Sequence, residues 1–217
     1  LYNFKVLPLD RSPMPAGTLR AIVSFANLGL AGFVLSAIAI RFAFPAVSLE
    51  GKAFWILQTS PISLRSLLWS KFWLNFVPLL VLGEVLVFLS NLLLRVPSWM
   101  MFLSLITIFL MTVGIAAIGV GVGAMYPKFN FDNAAEVPTS FGGAVCMMVS
   151  IAFVAVMVMI EAWPIYQLTL ASLRPGRAIA PTFWVVAPSV AITGALTIAA
   201  VVFSLHLGIR RLEQLRD

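Results

Sequence analysis

The 217 residues could make one or two soluble domains, but 61% of them are apolar and only 10% charged, with a mean hydropathy of +1.04; soluble domains carry about 25% charged residues. The apolar residues lie in blocks bounded by charges, which excludes a soluble globule and fits helices that cross a bilayer. The net charge of +6 comes from basic residues scattered at block edges, as expected of helix ends among lipid headgroups and not of a nucleic-acid surface.

The opening LYNFKVLPLDRSPMPAG, with prolines at 8, 13 and 15, reads as the end of an earlier element followed by a loop, so an upstream portion is expected. The first apolar block begins near Ala21 and is too long for a signal-peptide core. A helix rises about 1.5 Å per residue, so about 20 uncharged residues cross a hydrocarbon core of about 30 Å. Arg20 and Arg41 enclose 20 such residues, and Lys71 and Arg95 enclose 23, interrupted by Glu84. The gaps from Arg95 to Lys128, Glu136 to Glu161 and Arg177 to Arg210 hold 32, 24 and 32. Five spans are therefore predicted, at about 20–42, 70–94, 98–125, 139–162 and 183–207, in one all-α polytopic transmembrane bundle. A closed β-barrel would need alternating segments of about ten residues, and these blocks are continuously apolar. Trp69, Trp73, Trp99, Trp163 and Trp184 fall at or near span ends, where indole prefers to lie.

With the 41–71 connection, the 126–138 connection and the C-terminus on one side, that side holds eight Lys or Arg and the other side six. The excess predicts a cytoplasmic C-terminus.

Between the first two spans lies FPAVSLEGKAFWILQTSPISLRSLLWSKFW. Pro45 ends the first span, and Ser48 can cap a short helix carrying Ala53, Phe54, Trp55, Ile56 and Leu57, too short to cross and placed in the interface. Ser60 followed by Pro61 reads as an N-cap with proline at the first helical position, so a new helix starts there and runs into the second span. The result is an amphipathic elbow on the cytoplasmic face.

In the third span, IAAIGVGVGAMY sets Gly119 and Gly123 four residues apart, as it does Ala117 and Gly121, a spacing that lets backbones approach closely in lipid. No strand precedes this run, which excludes a dinucleotide-binding loop. Glu84 sits in the middle of its gap, where a charge costs about 2.5–3.5 kcal/mol, so it is expected to face protein or water. Asn91 lies seven residues on, along the same helix face. Both could line a translocation pathway; a protonated Glu84 hydrogen-bonded to a neighbouring helix is the alternative. Asp132 and Glu136 lack the oxygen ligands of a calcium site, His206 has no companion at metal-ligand spacing, and Cys146 reads as a small buried hydrophobe. No metal is expected.

An apolar span, EG, an amphipathic stretch, SPIS, a basic residue and a lysine before the next span, in that order, resembles the permease subunits of type 2 ATP-binding cassette exporters. RFAFPAVSLEGKAFWIL, with YPKFNFDNAAEVPTSFGG later, is similar to a bacterial branch of those permeases, from about residue 20 onward. The resemblance implies a six-span module whose second to sixth spans are the five seen here, in a bacterial cytoplasmic membrane, with a second copy or an upstream half of the same chain as partner. It also implies that the elbow rests on a separate ATP-binding subunit, through Glu50, Gly51, Lys52, Pro61, Ser63 and Arg65, with Lys71 flanking. Here the sequence keeps fewer charges beside the glutamate than the family at large. The external region from 162 to 182 would hold a short re-entrant helix at QLTLASL. ATP and magnesium would belong to the partner, because no G-x-x-x-x-G-K-[ST] occurs in this chain. No clustered catalytic set is present either, so a non-enzymatic permease is expected. An ion-coupled secondary transporter relying on Glu84, or a membrane scaffold, is the alternative.

Overall fold

The computed structural model describes residues 16–53, 63–129, 133–172 and 183–214, and among them every regular element is helical. Five long helices, α1 (Ala16–Phe42), α2 (Leu64–Leu94), α3 (Ser98–Met125), α4 (Phe141–Ser172) and α5 (Phe183–Gln214), alternate with the short 3₁₀ turns η1 (Phe44–Ala46), η2 (Ser48–Ala53) and η3 (Ala134–Glu136). Each long helix is long and apolar enough to cross a membrane. At about 40–48 Å they exceed the roughly 30 Å hydrocarbon core, so several turns stand among the headgroups.

The overhang corrects two boundaries. α2 starts at Leu64 with Ser63 as its N-cap, the Ser63 Oγ accepting the Ser66 N–H at 3.3 Å, so the Ser60 start is not the one used. Ser60 and Pro61 lie outside the described residues. α4 runs on to Ser172 and takes in Trp163, Pro164, Tyr166 and residues 167–172, where the sequence predicted a loop with a re-entrant helix. Leaving the hydrocarbon does not end a helix, and Pro164 removes only one backbone hydrogen bond.

α3 is the axis of the bundle. It touches the other four long helices and η1, and Gly114–Ala124 is buried without interruption. A helix that is apolar all round belongs in the centre. Ile108, Met111, Ile115 and Val120 of α3 meet a core that includes Leu35 of α1, Leu68 of α2, Met157 of α4 and Leu212 of α5, all fully buried. Between α2 and α3 the chain reverses at Arg95, held at φ 51° in the left-handed region, with its N–H donated to the Leu92 carbonyl. The elbow, the 126–140 connection and the end of α5 gather at one end of the bundle: Phe44 meets α3 and the start of α4, Ser48 meets Lys128, and Gly208 packs beside Ala124 and Leu68.

Candidate functional site

The elbow is built on glycine. η1, which joins α1 to η2, is wholly buried. A methyl group on Gly119 would lie 2.8 Å from Ala43 Cβ, and one on Gly123 would lie 2.1 Å from the Phe44 carbonyl oxygen. Only hydrogen at these positions lets the two backbones meet. The spacing of Gly119 and Gly123 predicted a close approach, and the partner they admit is the elbow. Between long helices the close contact runs instead through Gly121, where an added methyl would meet the Ser204 carbonyl oxygen of α5 at 2.5 Å.

Further contacts fix the elbow. Ser48, expected to cap a helix of its own, is fully buried, and its Oγ accepts the Lys128 backbone N–H at 3.1 Å, 80 residues along the chain. That bond satisfies an otherwise orphaned donor in the connection after α3. Glu50 pairs with Lys71 on α2, both side chains partly exposed. Between them Gly51 adopts φ 46° and ψ −125°, open to glycine and strained for any side chain, which kinks the chain within η2.

Of the residues expected to face a partner, Glu50 and Ser63 are thus engaged within the chain, Gly51 shapes the backbone, and Arg65 is exposed. Lys52 lies in η2, with its side chain outside the described residues, as is most of the predicted amphipathic helix at 53–57.

Toward the other end the buried polar groups form a layer across four helices. Asn91 of α2 accepts the Ser24 hydroxyl of α1 at 2.6 Å and donates to Ser104 of α3. Asn27 of α1 donates to Ser90. One turn along α3 from Ser104, the Thr107 hydroxyl lies against Glu161 of α4. A 330 Å³ cavity opens between α1 and α2 over Ser24, Asn27, Ser90 and Asn91. Glu84 is not part of this layer; it is half-buried two turns down α2, with no hydrogen bond or ion pair among the described residues. Glu84 and Asn91 are therefore not brought together.

Glu161 is the polar residue that sequence reading missed. Taken as the charge that closes the fourth span, it is 1% exposed, and its Oε2 has no partner. A carboxylate at the end of an apolar block looks the same in sequence whether it meets the headgroups or a neighbouring helix. Asp132 lies outside the described residues, and Glu136 pairs with Lys128 at 3.1 Å. Among the described residues no three His, Cys, Asp or Glu side chains gather to hold a metal.

A family model described as "Putative ATP-binding cassette" matches residues 1–216. The chain belongs to this family. Its description names an ATP-binding cassette, and the expectation of a permease subunit of a type 2 exporter is corrected on that finding. The physical reason lies in the motifs behind it: EG, SPIS and a basic residue before a span encode a bend at the membrane surface. Such a bend reports where a chain meets the headgroups, not which component of a system it is. No curated protein and no solved structure matches the chain. What stands is an ATP-binding cassette family member with five helices, among the described residues, long and apolar enough to cross a membrane.

Proposed function

We propose that this chain is the membrane-embedded component of an ATP-binding cassette assembly, and that its elbow is the surface on which an ATP-hydrolysing partner rests. The observation that carries the reading is the seating of η1 on Gly119 and Gly123. A load applied at the elbow reaches α3 through a backbone-to-backbone contact, and α3 touches every other long helix. A generic surface anchor has no need of such a seat.

In this reading nucleotide and magnesium belong to the partner; the sequence has no P-loop motif to cradle phosphates. Gly51, Lys52 and Arg65 would face the partner, while the Glu50–Lys71 pair holds the two arms of the elbow in register. The elbow end lies on the cytoplasmic side, in keeping with its excess of Lys and Arg.

The test is to look for a Walker-motif ATPase in the neighbouring reading frame, co-express it and measure its co-purification with this chain. Lys52→Gln combined with Arg65→Gln should lower the bound ATPase about tenfold, whereas Glu84→Gln, which lies away from the elbow, should not. An unchanged ratio in the Lys52 and Arg65 variant would sink the assignment.

A further inference from the structure

A basic groove opens at the elbow end, away from the elbow itself. Two adjoining cavities of 470 and 390 Å³ share Met125, Tyr126 and Arg211; the first also holds Arg210 and Gln214, the second Lys128 and Phe141. The walls are the end of α3, the start of α4 and the last turns of α5.

Charge in the groove is not balanced. Lys128 is neutralised by Glu136 at 3.1 Å. Among the described residues Arg211 reaches only the Gln214 amide oxygen, at 3.2 Å, and Arg210 has no ion pair although Glu213 follows three positions later. Two exposed guanidinium groups are left over. On one wall Tyr126 and Phe141, 41% and 76% exposed, pack edge to face at 6.0 Å and offer an apolar surface.

Depth decides what fits. α5 is about 48 Å long and Arg210 sits about 6 Å from its end, so with the helix centred on a core of about 30 Å the arginines stand at headgroup level. A guanidinium fork matches phosphate oxygens in pairs, and concave basic sites between membrane helices suit anionic headgroups. We propose that this groove binds the headgroup of one anionic phospholipid, its phosphate on Arg210 and Arg211 and its glycerol and upper acyl chain against Tyr126 and Phe141.

The experiment uses the full chain in nanodiscs or detergent, with phosphatidylglycerol as probe and phosphatidylcholine as reference, and counts retained lipid by native mass spectrometry. Each arginine near the surface is worth about fivefold, so Arg210→Gln with Arg211→Gln should cut phosphatidylglycerol retention about thirtyfold. The double lysine variant, which keeps the charge, should retain most of it. Arg41→Gln, an exposed arginine at the same end of the bundle, should change retention by less than about twofold. If the double glutamine variant does not fold, Arg210→Gln alone carries the test, with about a fivefold loss expected. Retention unchanged in the glutamine variants, an equal loss in Arg41→Gln, or displacement of the lipid by inorganic phosphate at matched concentration would each overturn the proposal.

Discussion

Gly123→Ala is the sharpest probe of the elbow. The added methyl would stand 2.1 Å from the Phe44 carbonyl oxygen and 3.0 Å from its carbon, both backbone atoms that no rotamer change can move. A carbon tolerates an oxygen at about 3.3 Å, so η1 must retreat by about 1.2 Å. Phe44 would be lifted from a fully buried site, and the Ser48 bond to Lys128 would be stretched. Overpacking of this kind costs about 1–3 kcal/mol, and a backbone clash belongs at the upper end. For a chain of this size that is a fall in Tm of about 5–10 °C. The assay is thermal unfolding in detergent, followed by tryptophan fluorescence. Gly194→Ala is the control, because nothing lies within 4 Å of the new methyl; it should leave the Tm unchanged or slightly raised. Equal stability of the two variants would refute the seating of η1 on α3, and with it the premise of the proposed coupling.

Gly51→Ala should cost about 1–3 kcal/mol through its backbone angles alone, since no neighbour lies near the new methyl, and the same thermal assay would detect it. The Glu50–Lys71 pair is partly exposed, so Lys71→Met should lower stability by less than about 1 kcal/mol, with the difference shrinking in high salt. Asn91→Ala removes two interhelical hydrogen bonds and should cost about 1–3 kcal/mol; a neutral result would mean that the polar layer is not formed. Glu161→Gln keeps both an acceptor and a donor for Thr107, whose single hydroxyl proton goes either to residue 161 or to its own Leu103 carbonyl, so this variant should unfold within about 1 kcal/mol of the parent. A loss of several degrees would show that the carboxyl group itself is required.

Membrane spans are legible in sequence because their determinants are local. Crossing a bilayer needs length and apolarity, both read along one strand of text, and the charges that end a span are equally local. Thus 98–125 coincides with α3, while α4 and α5 run past residues 162 and 207 because helix continues among the headgroups. The four-residue spacing of Gly119 and Gly123 likewise showed that something packs closely there.

What packs there was decided only by tertiary structure. Lipid tails are as apolar as leucine, so no hydrophobic drive selects helix partners, and a helix that is apolar all round carries no stripe to show which face is inward. Only the assembled bundle gives Gly123 to Phe44 and Gly121 to Ser204, gives Asn91 partners on two other helices, and turns Glu161 from a boundary charge into a buried group beside Thr107. The sequence by itself determined that the chain carries helices long and apolar enough to cross a membrane; the fold decided which small and polar residues meet, because those meetings depend on contacts between helices far apart in the chain.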